Sequence, residues 1–299
     1  MTQKKLILVA GPTAVGKTEF CIQLAREFDA EIFSCDSRQF YRELSIGTAK
    51  PTEEELSHVP HHFINNLSVQ DDYSVADYEK EINEGLHAYF KRKSVGILTG
   101  GSGLFMKAVT HGLDNIPDVP TEVRSGLLVR MEKEGLPSLV AELTKLDPNY
   151  AAHADMNNKQ RVVRALEVSL FTGKPFSAWH NGSDKKREFD LIKIGLDRPR
   201  EELYQRINLR VEQMLEQGLI DEVKSVQEYE QKNALQTVGY KEVFSFLNGE
   251  INFNEMKELI QRNTRRYAKR QLTWFRNQDV FQWFHPEDIK SAIFYIRNA

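Results

Sequence analysis

An octapeptide near the start of the sequence, GPTAVGKT at 11–18, carries the clearest chemical signal in the chain. It fits the phosphate-loop pattern G-x-x-x-x-G-K-[ST] and stands between a predicted strand and a predicted helix, as that pattern requires. In such a loop backbone N–H groups surround an anion, the lysine adds a positive charge and the final hydroxyl can hold Mg²⁺. We therefore predict a site for a diphosphate, or for a triphosphate such as ATP. Its predicted diphosphate-binding residues are Gly11, Thr13, Ala14, Val15, Gly16, Lys17 and Thr18, with Thr18 as the metal ligand.

Two further polar segments follow predicted strands and are candidates for acid–base chemistry. Asp36 comes just after the second strand, and Ser102 lies in the Gly-rich stretch 100–103 after the third. Because parallel strands present their carboxyl ends at one edge of a sheet, both residues are expected near the phosphate loop. Asp36 could take a proton from a nucleophile or ligate a metal, although a turn-forming role explains its position equally well. Gln39 could bond the edge of a base or be solvated.

The basic residues indicate where anions could bind. The formal net charge of −3 alone argues against a nucleic-acid partner, but residues 262–276 contain six Arg or Lys and no acidic residue. This segment predicts a packed helix with a cationic outer face, which suits a phosphate backbone, although such helices also occur in proteins that bind no nucleic acid. On another predicted helix, Arg206 and Arg210 stand four residues apart and could clamp an oxyanion or form a solvated face.

A single α/β sheet is expected to hold these segments together. Amphipathic stretches such as 17–28 and 73–91 predict helices between the strands, and this alternation is typical of a parallel sheet flanked by helices. Asp197, after the fourth strand, is interpreted as a helix cap before Pro199 rather than as a metal ligand. Short apolar runs predict strands at 5–10, 31–35, 95–99, 190–196 and 280–284.

One segment interrupts this pattern. Residues 121–180 have helical periodicity and no convincing strand, so they are predicted to form a helical insertion domain. Residues 1–120 and 181–299 are then the predicted P-loop α/β catalytic core with its C-terminal helices.

Composition restricts the setting in which the protein works. No apolar run approaches the roughly 18 residues of a membrane span, so no membrane partner is expected. The two cysteines, Cys21 and Cys35, form neither a disulfide framework nor a metal-ligand pattern, and no export signal precedes the phosphate loop. We therefore expect a cytoplasmic protein.

Taken in order, these motifs resemble the tRNA dimethylallyltransferases of the bacterial type, also called isopentenylpyrophosphate transferases. The match covers most of the chain, and its motifs together are highly specific. Ser102 is a departure, since the family usually has threonine there, but the hydroxyl is kept. The motifs are GPTAVGKT at 11–18, DSRQFY at 36–41, IGTAKP at 46–51, YSVADY at 73–78, GGSGLFMKA at 100–108, QRVVRALEV at 160–168, RINLRVEQML at 206–215, VGYKE at 238–242 and AKRQLTWFR at 268–276.

The resemblance implies transfer of a dimethylallyl group from dimethylallyl diphosphate to N6 of the adenosine at position 37 of tRNA, with Mg²⁺ as cofactor. In that reaction Asp36 is the base, Ser102 positions the amine or the diphosphate, and Arg210 stabilises the leaving diphosphate. The helical insertion would contact the anticodon stem, and the enzyme is expected to be a monomer. The implied tRNA-binding residues are Asp36, Ser37, Arg38, Gln39, Ser102, Arg124, Gln160, Arg161, Gly239, Tyr240, Lys241, Arg265 and Lys269.

Other functions fit parts of the sequence. A P-loop kinase of a small metabolite would explain only the first hundred residues, and an RNA-binding NTPase switch would normally have a strand that ends in a metal-binding Asp. A prenyltransferase that acts on free AMP is a nearer alternative. The helical insertion and the basic segment favour tRNA as the acceptor.

Overall fold

The sheet predicted from the sequence is present as six parallel strands in the described part of the chain. The computed structural model describes residues 3–180, 182 and 185–299. The strands are β1 Lys5–Ala10, β2 Ile32–Ser34, β3 His61–His62, β4 Val95–Gly100, β5 Asp190–Leu196 and β6 Gln282–Phe284. They lie in the order β3-β2-β4-β1-β5-β6, and each neighbouring pair is parallel. The predicted α/β class is confirmed, whereas β3 was not among the strands predicted from the sequence.

Helices account for most of the remaining chain. Within the described residues, none of them combines the length and the apolar character that a membrane crossing needs. In chain order they are α1 Lys17–Glu27, α2 Glu53–His58, α3 Val75–Tyr89, α4 Gly103–Thr110, α5 Thr121–Glu134, α6 Leu136–Leu146, α7 Pro148–His153, α8 Lys159–Thr172, α9 Arg200–Glu216, α10 Leu219–Ser225, α11 Tyr240–Leu247, α12 Phe253–Gln278 and α13 Ile289–Asn298.

Strand β1 lies at the centre of the core, because its two sides face separate apolar clusters. Leu6 and Leu8 belong to one cluster, with side chains from α3, α4, α11 and α12. Ile7 and Val9 belong to the other, with side chains from α1, α9 and α13. A strand that is buried on both sides needs apolar residues at every position, which explains the unbroken apolar run in the sequence.

The carboxyl ends of β1, β2 and β4 meet at one edge of the sheet. Ala10 at the end of β1 is level with Gly100 at the end of β4. Gly100 has to be a glycine, because a Cβ atom there would lie 2.7 Å from the backbone carbonyl carbon of Cys35, just after β2. The phosphate loop, the segment that carries Asp36 and the Gly-rich stretch therefore leave the sheet side by side.

Residues His111–Lys185 form a separate helical unit with its own apolar core between α5, α6 and α8. Glu167 is also buried in this core, and its carboxylate accepts hydrogen bonds from Arg124 at 3.0 Å and Arg164 at 2.8 Å. Two guanidinium partners offset the cost of burying that charge. The unit contains all of the segment 121–180 and starts before it. Met1–Thr110 and Lys186–Ala299 form the other unit, which contains the sheet.

Candidate active site

The phosphate loop is a tight turn that hydrogen bonds hold between β1 and α1. Gly16, just before α1, has a φ of +111°, and Ala14 has a φ of +65°. The Lys17 ammonium donates to the carbonyl oxygens of Gly11 and the next residue, at 2.9 and 2.8 Å. Arg206 on α9 donates from Nε to the carbonyl oxygen of Ala14 at 2.9 Å. Arg206 therefore fixes the loop and is not part of a solvated face.

A cavity of about 410 Å³ opens beside the loop. Its size falls within the range of roughly 300–1,000 Å³ that is typical of small-molecule sites. Lys17 and Thr18 line it from the loop, Asp36 from the end of β2, Arg210 from α9 and Gln271 from α12. The structure thus brings most of the predicted diphosphate-binding and catalytic residues to one space within the sheet-containing unit.

The cations of this cavity repel one another. Burial lowers the pKa of the Lys17 ammonium to about 8, although the nearby Asp36 carboxylate raises it, and the charge of Arg210 lowers it further. Burial is also the main cause that lowers the pKa of Arg210, and Arg206 adds to that effect. An anion that enters the cavity would relieve this repulsion. The electrostatics therefore favour a multiply charged anion.

Asp36 both forms a turn and lines the cavity. Its Oδ1 accepts a hydrogen bond from the Arg38 N–H at 3.0 Å, which is the turn-forming role left open by the sequence. The Ser102 hydroxyl accepts from the Ser37 N–H and donates to the Ser37 hydroxyl, both at 3.0 Å. The turn uses only one carboxylate oxygen, so a turn-forming role and proton transfer are compatible at this residue.

Two further residues of the site, Tyr267 and Gln271, were not identified from the sequence. Burial, followed by the charge of Asp36, raises the pKa of the Tyr267 hydroxyl, so this group keeps its proton. Gln271 is 6% exposed and bonds both the phosphate loop and the Gly-rich stretch. Four residues apart, they lie on one side of α12. The sequence feature that could have identified them is a neutral polar residue on the buried side of a basic helix.

The segment 238–242 supplies a structural side chain rather than an exposed one. The Tyr240 ring is fully buried, and its hydroxyl donates to Glu222 at 2.6 Å. A Cβ atom on Gly47 would lie 2.6 Å from that ring, so the two residues pack in direct contact. The predicted contact between tRNA and the Tyr240 side chain is therefore wrong. Its neighbour Gly239 lines the cavity, and Lys241 is exposed.

The loop after β2 also faces the cavity. Arg38 and Gln39 both line it. The Gln39 amide nitrogen lies 3.3 Å from the carbonyl oxygens of Thr48 and Ala49, so this side chain joins two segments of the cavity wall. A purely solvated Gln39 is thus excluded.

The basic helix α12 has cations with different surroundings. Arg265 donates to the Asn208 side chain at 2.6 Å, so it points towards α9. Arg276 forms an ion pair with Asp197. Asp197 is therefore not the cap of α9, where Pro199 occupies the N-cap position. An open groove of about 530 Å³ remains on this helix, lined by Arg266, Lys269, Arg270, Thr273, Trp274, Asn277 and Gln278.

The helical unit contains three of the predicted tRNA contacts. Gln160 and Arg161 are exposed at the start of α8. Arg124 is partly buried and bonded to Glu167, so it already has an anionic partner.

Comparisons with known proteins identify the family of this chain. The family model described as IPP transferase matches residues 39–278. The tRNA dimethylallyltransferase 1 of Bacteroides thetaiotaomicron is 47% identical over 292 residues, which are 98% of this chain and 95% of the relative. The tRNA dimethylallyltransferase of Christiangramia forsetii is 46% identical, over 97% of this chain and 96% of its own.

Solved structures of tRNA-modifying transferases also match this chain. The tRNA isopentenylpyrophosphate transferase of Bacillus halodurans has a TM-score of 0.74 and 38% identity, and the match covers 99% of this chain and 96% of that one. A eukaryotic dimethylallyltransferase acting on tRNA also has a TM-score of 0.74, with 30% identity over 91% of this chain and 70% of its own. The chain therefore belongs to the IPP transferase family.

Proposed function

We propose that this protein transfers the dimethylallyl group of dimethylallyl diphosphate to N6 of the adenosine at position 37 of tRNA and releases diphosphate. The observation that carries the proposal is the single cavity lined by Lys17, Arg210 and Asp36. Its cations suit a leaving diphosphate, and its carboxylate can accept a proton. The names of the relatives support a dimethylallyl donor and a tRNA acceptor.

In the proposed reaction Asp36 is the base. The N6 lone pair of adenine is delocalised into the ring, so the amine is a weak nucleophile and benefits from losing its proton as it reacts. N6 attacks C1 of the dimethylallyl group, the C1–O bond breaks, and its electron pair leaves with the diphosphate. The N6 proton passes to the Asp36 carboxylate. To enter the cavity the adenosine has to leave its base stack, and Arg38 and Gln39 are proposed to contact it there.

The positively charged groups of the cavity are proposed to stabilise the leaving diphosphate. The phosphate-loop backbone, the Lys17 ammonium and the Arg210 guanidinium would donate to the oxygen atoms on which negative charge develops. Ser102 is proposed to position the amine, because its hydroxyl bonds the residue next to Asp36.

Mg²⁺ is the proposed cofactor, and the oxygen donors in the cavity fit it. Thr18 lines the cavity with a hydroxyl and Asp36 with a carboxylate, both of which are hard ligands. The one cluster of three metal-binding side chains among the described residues, Glu202, His285 and Glu287, does not line this cavity. Mg²⁺ often takes one or two protein oxygens together with substrate phosphates, so Thr18 would hold it with the diphosphate. The bound ion would neutralise charge on the leaving group.

The remaining contacts are proposed to hold the anticodon stem-loop. Lys269 lines the open groove of α12, and Gln160 and Arg161 are exposed on the helical unit, where cations and amides can bond phosphates. We also propose that a monomer acts in the cytoplasm. The cavity supports a monomer, because a single chain supplies the diphosphate-binding residues and the base.

Purified protein incubated with Mg²⁺, radiolabelled dimethylallyl diphosphate and unmodified tRNA tests the proposal. We expect label in a tRNA adenosine that nuclease digestion releases as N6-dimethylallyladenosine. A transcript with guanosine at position 37 is the matched control and should remain unlabelled. Parallel reactions contain AMP as the acceptor, or ATP with tRNA. Label in AMP alone, or ATP hydrolysis without any prenyl transfer, would contradict the proposal.

The pKa of Lys17 predicts a pH dependence. The charged ammonium binds the diphosphate, and burial lowers its pKa to about 8. Towards neutral pH the ammonium is protonated, so kcat/KM for dimethylallyl diphosphate should reach a plateau there. Above that pKa kcat/KM should fall about tenfold per pH unit, because this parameter reports ionisations of the free enzyme. A Lys17→Arg variant keeps its charge, so its kcat/KM, even if lower overall, should show no such fall. A wild-type profile that stays flat to about pH 10 would exclude Lys17 as the titrating group.

A further inference from the structure

Helix α12 approaches two loops of the active site unusually closely. Gln271 and Trp274 project from its inner side towards the Gly-rich stretch after β4. A Cβ atom on Gly101 would lie 2.3 Å from the Gln271 amide nitrogen, and one on Gly103 would lie 2.4 Å from the Trp274 ring. A side chain at 101 would push the end of the Gln271 side chain away, and one at 103 would clash with the Trp274 ring. The absence of side chains at 101 and 103 therefore allows close contact with α12.

The Gln271 side chain joins the two loops at this contact. Its amide nitrogen donates to the Gly101 carbonyl oxygen at 2.8 Å, and its amide oxygen accepts from the Thr13 N–H at 2.9 Å. Strands β1 and β4 pair up to the level of Ala10 and Gly100, where both strands end. Beyond that level the Gln271 amide bridges the two chain segments. The Gln271 side chain therefore holds the two segments together beyond the point where backbone pairing between β1 and β4 stops.

The two loops belong to different parts of the proposed reaction. Thr13 lies in the loop proposed to hold the diphosphate of the prenyl donor. Gly101 precedes Ser102, whose hydroxyl bonds Ser37 beside the proposed base Asp36. The distance between these loops therefore sets the distance between the donor carbon and the group that receives the N6 proton. Misplacement of reacting groups by about 1 Å can cost on the order of 100-fold in rate.

We propose that Gln271 is a positioning residue for prenyl transfer, which aligns the phosphate loop with the Asp36–Ser102 region through its two hydrogen bonds. This proposal rests on the proposed function. A primary amide suits the task, because it offers a donor and an acceptor on one short group. Neither bond requires Gln271 to touch the substrate, so its effect should appear in kcat rather than in substrate affinity.

Two variants separate alignment from simple packing. Gln271→Met has a similar length and makes neither hydrogen bond. Gln271→Glu, when ionised, can accept from the Thr13 N–H but places a negative oxygen against the Gly101 carbonyl. When that carboxyl is protonated, its hydroxyl can donate to Gly101 while its carbonyl accepts from Thr13, which restores both bonds. Burial raises the pKa of a carboxyl group, so this change should occur within the measurable pH range.

Single-turnover rates of tRNA labelling test the proposal. We expect Gln271→Met to lose about 10- to 100-fold in rate, with KM for dimethylallyl diphosphate and Kd for tRNA within about threefold of wild type. The ratio of the Gln271→Glu rate to the wild-type rate should rise as the pH falls from about 8 to about 5.5, whereas the Gln271→Met ratio should stay constant. Gln23→Met, on the exposed side of α1, is the matched control and should behave as wild type.

The possible failures can be told apart. If Gln271→Met labels tRNA at the wild-type rate, or if the Gln271→Glu ratio does not change with pH, the positioning role is wrong, and this second test holds even if Gln271→Met does not fold. If wild-type protein itself transfers no label, the proposed function fails and this inference fails with it.

Discussion

Replacing Asp36 with asparagine is expected to lower the rate of dimethylallyl transfer by about 10²- to 10⁴-fold, the range that a general base contributes. Asparagine keeps an Oδ1 that can accept the Arg38 N–H, so the turn after β2 should be retained. It cannot take the N6 proton, so the weak nucleophile remains protonated as it reacts. Asp36→Ala removes both the base and the acceptor of the turn, so it should abolish prenylation.

A comparison of the two substitutions separates the roles of the carboxylate. Single-turnover labelling of tRNA gives the rate, and filter binding gives the Kd for tRNA, which we expect to remain close to wild type for both variants. Asp71→Asn is the matched control, because Asp71 also accepts a turn N–H but does not line the cavity. If Asp36→Asn retains a rate within about threefold of wild type, Asp36 is not the base.

The parts of the site that the sequence predicted are those set by local pattern and sheet geometry. The phosphate loop is a contiguous motif between a strand and a helix, so its residues indicate both its conformation and its ligand class. Asp36 and Ser102 could be placed together because parallel strands end at one edge of a sheet. That rule requires only the strands to be identified, and β1, β2 and β4 have short apolar runs that are easily recognised.

Contacts between distant segments could not be predicted in this way. Gln271 bonds Thr13 across 258 residues, and no local pattern relates the two. Glu222 accepts backbone N–H bonds from Ser45 and Gly47, 177 and 175 residues away, and the Tyr240 hydroxyl donates to the same carboxylate. These bonds explain why Tyr240 is buried, although the polar sequence of its segment predicts an exposed position.

Two smaller errors have physical causes of the same kind. Strand β3 is only two residues long, so it carries no periodicity, and its pairing with β2 creates it. Asp197 has the sequence position of a helix cap, but an ion pair with Arg276, 79 residues away, competes for its carboxylate. In each case a tertiary partner decides the outcome.

An Arg210→Gln variant is expected to lose about 10²- to 10³-fold in kcat, the effect of removing one donor that stabilises developing negative charge. Arg210 lines the cavity from α9, and burial with the neighbouring charge of Arg206 lowers its pKa. A guanidinium remains protonated in proteins even so, and it therefore carries an electrostatic cost that the leaving diphosphate offsets. Glutamine can donate a hydrogen bond but has no charge.

The same substitution should change the titration of Lys17, which provides an independent check of the geometry. The charge of Arg210 lowers the pKa of Lys17, so removing it should raise that pKa. The pH above which kcat/KM for dimethylallyl diphosphate falls should therefore move upward from about 8 in Arg210→Gln. Arg26→Gln, an exposed substitution on α1, should leave both the rate and this pH unchanged. If Arg210→Gln lowers the rate while the pH profile keeps its wild-type midpoint, the charges of Arg210 and Lys17 are not coupled as the structure places them. The proposal that both cations hold the same leaving diphosphate would then be wrong.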